Sequence, residues 1–296
     1  EQKIKSEKSD SKLKSWEARY KFNIERRDKE IALKEREIFE LKTITLRERV
    51  IRGQMEMLQR LALAAEIRDD ETSAHTMRVG KIVTQISLIM GLDLEYAKRL
   101  GFAAQFHDIG KIGIPDSILL KPAALTDEEF EAMKRHTTIG AQILSNSEMS
   151  IMKLSEIIAV SHHEKWDGSG YPNNLKGYAI PLAGRIVAVA DAFDAMTSDR
   201  PYRKALDAST VRRELVKGAG SQFDELIVEK FLEWLDKNGI EKFNDMDLKD
   251  TDEELMSLII DAEKPTGKGL KFLKTIYYSP LHIDKEKAHD KILVPV

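Results

Sequence analysis

The sequence has no cysteine in its 296 residues. That excludes disulfides, thiolate metal sites and cysteine nucleophiles, and it permits a reducing compartment. No apolar run approaches the roughly 18 residues a membrane-spanning helix needs, and no signal peptide opens the chain. Neither sign of charge dominates: 47 Lys and Arg stand against 50 Asp and Glu, a formal net charge of −3. This excludes a blanket polycation that coats nucleic acid, so DNA is not an expected partner. Glycine and proline are both absent before Gly53. What is present is charge of both signs, 33% of residues, with an apolar share of 42% that suffices for a sizeable core. The length fits one large domain or two ordinary ones. The first residue is Glu1 rather than Met, which reads as a fragment whose upstream part is missing.

The charge is concentrated at the start. Of the first 50 residues, 15 are basic and 11 acidic. Ile24, Ile31 and Ile38 recur every seven residues, and Thr45 breaks the series. Ile44, Ile51 and Leu58 resume it one residue out of phase. Leu13, Tyr20 and Leu41 fill d positions of the first register, while Arg27 and Lys34 occupy the d positions between them. Residues 1–55 therefore read as a charged helical linker with a half-filled coiled-coil seam, compatible with a parallel homodimer through residues 1–50. Such a helix suits a signalling connection from an upstream sensor or receiver domain.

Helical periodicity dominates from Met55 to about residue 237. Ile82–Met90, Glu95–Phe106, Val211–Val216 and Leu226–Leu235 carry apolar residues at helical spacing. Thr126 and Glu129 form a capping box that opens a helix toward His136. Proline and glycine mark two long loops, residues 113–125 and 166–181. No βαβ pattern and no alternating strand run is visible, so the fold class is all-α, a helical bundle behind a long helix. Residues 56–240 form the main domain. Residues 241–296 form a polar extension with apolar islands at Leu255–Ile260 and Leu270–Tyr278, either a small cap or an appendage.

Five of the seven histidines, His75, His107, His136, His162 and His163, fall within one stretch of the chain. Glu71 and His75 stand four residues apart, on one helix face. His107-Asp108 and His162-His163 are adjacent pairs. Two buried imidazoles side by side each need a partner, and a metal satisfies both. With Asp191 these residues make eight nitrogen and oxygen candidates, more than one tetrahedral ion uses, so at least two metals are expected. A sulfur-free donor set suits Fe, Mn, Co or Zn and disfavours copper(I) and iron–sulfur clusters.

The blocks are specific in combination. His107-Asp108-Ile109-Gly110-Lys111 is followed by His162-His163-Glu164-Lys165-Trp166-Asp167-Gly168-Ser169-Gly170-Tyr171-Pro172, then by the run from Ala190 to Arg203. Arg68-Asp69 with Glu71, Thr72 and His75 stands before them. In this order they resemble the HD-GYP family, an all-α branch of the HD phosphohydrolases. The resemblance implies a metal-dependent phosphodiesterase that cleaves cyclic di-GMP to linear pGpG and onward to GMP. It places Glu71, His75, His107, Asp108, His136, His162, His163 and Asp191 as ligands to two or three metal ions, Fe or Mn before Zn. Asp108 bridges two ions, and Glu71 belongs to a third. On the same resemblance the metals would lower the pKa of a water to give hydroxide and would neutralise the phosphodiester. Lys111 contacts the scissile phosphate. Arg200 and Arg203 hold phosphates or bases, and Asp194 orients a ligand histidine or contacts a guanine. The Gly170-Tyr171-Pro172 loop is linked in the family to docking of diguanylate cyclase domains. Gly184 departs from the family pattern and implies a softer helix start. Two other readings remain: hydrolysis of another cyclic dinucleotide such as cyclic GMP-AMP, and a non-catalytic nucleotide sensor or docking module. A cytoplasmic location is expected, with no membrane segment in this stretch.

Overall fold

A computed structural model describes residues 2–69, 75–199, 204–240 and 252–262. Among them there is no strand, and the one β-type pairing is a single bridge between Ala219 and Phe223. The chain divides into two compact units, between Gln54 and Met55. The first unit is the leading part of helix α1 (Gln2–Arg68). Its heptad isoleucines Ile24, Ile31 and Ile38 are 42%, 51% and 52% exposed. Trp16 stacks on Tyr20 with ring centroids 5.3 Å apart, and Arg36 pairs with Glu40 one turn on at 3.0 Å.

The second unit is a helical body. It begins with the end of α1, where Met55, Ala62 and Ala65 are buried. Helices α2 (His75–Ile89), α3 (Leu94–Ala104), α4 (Asp116–Leu119), α5 (Asp127–Lys134), α6 (His136–Leu144), α7 (Ser150–Ser161), α8 (Leu182–Thr197), α9 (Ala208–Gly218) and α10 (Glu225–Asn238) follow. A 3-10 turn, Ile109–Gly113, stands between α3 and α4. Local chemistry sets the starts. Asp93 caps α3 through Tyr96 N, Asp207 caps α9 through Thr210 N, and Asp224 caps α10 through Leu226 N. The capping box expected from Thr126 and Glu129 opens α5.

Helix α2 packs along α3 and α8, and α7 along α6 and α8. Val83, Ile86, Leu100, Leu154, Ile158 and Ile186 fill the space between them, fully buried. Phe193 and Phe231 close the α8–α10 contact edge to face at 5.0 Å. Gly184 has a packing reason. A Cβ there would lie 2.3 Å from Ser161 Oγ, so its hydrogen lets α8 approach the end of α7, where the paired histidines sit. The island at Leu255–Ile260 lies in a helix, α11 (Asp252–Ala262), that packs on α3 with Met256, Ile259 and Ile260 buried. The island at Leu270–Tyr278 lies outside the described residues.

Candidate metal centre

Five of the seven histidines, His75, His107, His136, His162 and His163, converge at or next to helix ends. His75 opens α2, His136 opens α6, and His162 caps the C-terminus of α7 with His163 next to it. His107 and Asp108 fill the corner between α3 and the 3-10 turn, and Asp191 lies on α8. Two groups result. In one, ligand atoms of Asp108, His136, His162 and His163 all lie within 4.8 Å of one another; in the other, those of His75, His107 and Asp108 do. Asp191 Oδ1 adds to the second group, 3.6 Å from His75 Nε2. Asp108 is common to both, and its two oxygens point different ways. Oδ1 lies 3.3 Å from His136 Nε2 and 3.4 Å from His162 Nε2. Oδ2 lies 3.4 Å from His107 Nε2 and 2.9 Å from Lys111 Nζ.

The outer ring nitrogens fix the tautomers. His107 Nδ1 donates to Ala104 O at 2.9 Å, and His136 Nδ1 to Met133 O at 2.8 Å. His162 Nδ1 shares Ile158 O and Ala159 O, each at 3.1 Å. His75 Nδ1 donates to Asp194 Oδ2 at 2.7 Å. With Nδ1 carrying the proton, the Nε2 lone pairs face inward. His107 Nε2 and Asp108 Oδ1 are buried and make no hydrogen bond. Orphaned buried donors and acceptors of this kind are costly and call for a partner. An ion of the hard to borderline class meets that need, and the nitrogen–oxygen donor set fits one.

The electrostatics of His162 and His163 agree with ligation, and those of His107 favour its charged form beside Asp108. Burial pushes His162 down, and it pushes His163 well below its usual value with help from the His162 ring beside it. Both imidazoles are therefore neutral and able to donate a lone pair. Burial also works against charge on His107, but the Asp108 carboxylate outweighs it and lifts His107 to about 9. Burial would raise Asp108, yet Lys111 and His107 hold its carboxyl well below the usual carboxylate range.

Around this cluster stands a second layer of polar side chains. Asp194 is 1% exposed, and besides His75 it accepts Arg78 Nε at 2.6 Å and Nη2 at 3.0 Å. Lys111 also pairs with Asp69. Glu164, 3% exposed, takes the backbone N–H of Asn173 at 2.7 Å and of Leu175 at 2.9 Å, one on each oxygen. That carboxylate holds the far limb of the loop carrying Gly170, Tyr171 and Pro172. The Tyr171 ring then lies on His163, with centroids 4.8 Å apart, and edge-on to Phe130 at 6.2 Å. The adjacency of Glu164 to a histidine pair and to a loop rich in Gly and Asn was its one sequence signal; Arg78 gave none. Glu71, Arg200 and Arg203 lie outside the described residues.

Known proteins resemble this chain. A family model described as HD domain matches residues 59–227, more than half of the chain. A Thermotoga maritima protein named cyclic di-GMP phosphodiesterase is 51% identical over 177 residues, 60% of this chain and 48% of that protein. A Xanthomonas campestris protein named cyclic di-GMP phosphodiesterase response regulator RpfG is 43% identical over 202 residues, 68% of this chain and 52% of its own length. A Vibrio cholerae protein named 3'3'-cGAMP-specific phosphodiesterase 2 is 42% identical over 182 residues, 62% and 35% respectively. The chain thus spans about half or less of the length of these relatives. It belongs to the HD domain family, in its HD-GYP branch.

Proposed function

We propose that this chain is a metal-dependent phosphodiesterase that hydrolyses cyclic di-GMP to pGpG and on to GMP. The observation that carries the reading is Asp108, whose two oxygens face two separate histidine groups. Relatives named for cyclic di-GMP hydrolysis, at up to 51% identity, supply the substrate class. Asp108, His136, His162 and His163 would hold one ion, and His75, His107, Asp108 and Asp191 a second. Glu71 would serve a third. Fe or Mn suits these donors ahead of Zn. When bound, such ions supply positive charge at the phosphodiester and lower the pKa of water at the site.

The remaining work falls to the chain. Backbone carbonyls and Asp194 hold the Nδ1 protons of His75, His107, His136 and His162 and so turn their Nε2 atoms inward. Asp194, closed off by His75 and Arg78, orients the His75 ring. Lys111 brings a cation beside Asp108 that can meet a phosphate oxygen, and Arg200 and Arg203 bind the phosphates or bases. Tyr171 covers the His163 flank and excludes water there. The seven-residue isoleucine spacing supports a parallel homodimer through residues 1–50, with the chain acting in the cytoplasm below a sensor or receiver domain. The outer face of the Gly170–Pro172 loop suits a diguanylate cyclase domain. Among the described residues no helix is long and apolar enough to cross a membrane.

The test is incubation of the Mn- or Fe-loaded chain with cyclic di-GMP and, separately, with 3'3'-cGAMP, with products separated by chromatography. Formation of pGpG and GMP is expected. Turnover of 3'3'-cGAMP alone would favour the second reading, for which the Vibrio cholerae relative speaks. Binding of either nucleotide with no turnover would refute hydrolysis.

A further inference from the structure

One turn of helix touches both halves of the metal centre. The last turn of α1 carries Glu66 and Arg68, and neither faces the ligand atoms. Glu66 is 5% exposed, and its oxygens accept Thr76 N–H at 3.1 Å and the Thr76 hydroxyl at 3.0 Å. Thr76 is the second residue of α2, and His75 is the first. A helix start leaves N–H groups without intrahelical partners. The Glu66 carboxylate accepts the one at Thr76 and thereby holds the backbone beside His75.

Arg68 does the converse at the end of a turn. Its guanidinium donates to Lys111 O at 3.1 Å, to Ile112 O at 2.7 Å and to Ile114 O. It also grips the Asp116 carboxylate through Nε at 2.9 Å and Nη2 at 2.7 Å. Lys111 and Ile112 belong to the 3-10 turn that follows Asp108; Arg68 supplies a donor to the Ile112 carbonyl and shares the Lys111 carbonyl with the Ile114 N–H. The opposite side of the turn has no slack. A Cβ on Gly110 would lie 1.9 Å from His136 O and 2.4 Å from Gly140 N. The turn is thus gripped between Arg68 and the first residue of α6, and Asp108 and Lys111 take their positions from that grip.

We propose that Glu66 and Arg68 are positioning residues that set the spacing between the two metal-binding groups, Glu66 by placing His75 and Arg68 by placing Asp108. Both stand on one turn of α1, so a slide or twist of that turn moves His75 and Asp108 together. The inference rests on the reading that the cluster holds metal, and it adds the route by which a displacement of the α1 end reaches it.

The test uses the full chain with Glu66→Gln and Arg68→Lys. Gln keeps one acceptor of two, and Lys keeps the charge but loses the fork. Asp116→Asn, at an exposed carboxylate, loosens the Arg68 fork without disturbing the buried core. Asp207→Ala removes the cap of α9 and controls for lost stability. Mn2+ is titrated into chelator-treated protein by calorimetry, and cyclic di-GMP turnover and Tm are measured alongside. Glu66→Gln and Arg68→Lys should weaken Mn2+ binding and lower kcat by about 10–100-fold, the usual range for groups that orient ligands, with KM nearly unchanged. Asp116→Asn should move both the same way by a smaller factor. Asp207→Ala should lower Tm and leave the isotherm and kcat within about twofold. The inference is overturned if Glu66→Gln and Arg68→Lys lower Tm while the Mn2+ isotherm stays at the wild-type value. A wild-type chain that binds Mn2+ yet turns over no cyclic di-GMP defeats the proposed function, and the isotherms still decide the positioning role.

Discussion

Asp108→Asn isolates charge from shape. The side chain keeps its size and one carbonyl oxygen, but the negative charge between the two histidine groups is gone. Oδ1 stands 3.3–3.4 Å from the Nε2 atoms of His136 and His162, and Oδ2 stands 3.4 Å from that of His107, so a cation in either group sits against this carboxylate. A unit-charge contact near 4 Å at an effective dielectric of about 20 is worth about 4 kcal/mol. At about 1.4 kcal/mol per tenfold, each cation loses at least roughly a thousandfold in affinity, since a divalent ion doubles the charge product. The two groups differ in what remains. His136, His162 and His163 offer three imidazoles, whereas His75 and His107 keep only Asp191 as an anionic companion. The variant should therefore retain one metal and lose the other from the His75–His107 side. Metal per chain is read by elemental analysis after dialysis, and hydrolysis by product chromatography. One ion or fewer per chain with turnover below a thousandth of wild type is expected. Two ions retained, with a rate within about tenfold of wild type, would refute the bridging argument.

Glu71→Ala should remove only a third ion and leave a two-metal core, so elemental analysis should show at least two ions and measurable turnover; loss of all metal would make its role equal to that of Asp108. Gly110→Ala forces a Cβ to within 1.9 Å of His136 O; overpacking of this kind costs about 1–3 kcal/mol, or a Tm loss of roughly 2–4 °C per kcal/mol by calorimetry, and an unchanged Tm would show that the turn and α6 part easily. Removal of residues 1–50 should convert a sedimenting dimer to a monomer on the order of tens of micromolar; a full chain that is monomeric there would refute the coil, and a truncated chain that still dimerises would place the interface on the body.

The candidate ligands were legible because metal chemistry confines their residue types. Adjacent pairs such as His107-Asp108 and His162-His163 announce themselves in one dimension, and the helix caps at Thr126 and the apolar periodicity around Ile82–Met90 are equally local. What holds the ligands is not local. Asp194 meets Arg78 and His75 across more than a hundred residues, and Arg68 meets Asp116 across 48. No spacing rule encodes such contacts, since they depend on how α2, α8 and the 3-10 turn are stacked. Gly184 shows the same limit from the other side. By local propensity it weakens a helix start, but beside Ser161 it is the residue small enough to fit. The apolar island in the tail was visible as composition, and only the packing of α11 on α3 makes it part of the body.

A carboxylate held in common also makes metal loading a graded process. Two cations that divide one anion do not bind independently: the first draws down the charge that attracts the second, and the two repel across Asp108. Filling is then stepwise, with the richer imidazole group saturating at the lower free-metal level. Between the two steps lies a range of metal supply over which the protein is loaded on one side only. On the proposed function, turnover would then depend on the supply of metal ion as well as on the amount of nucleotide, through a single side chain.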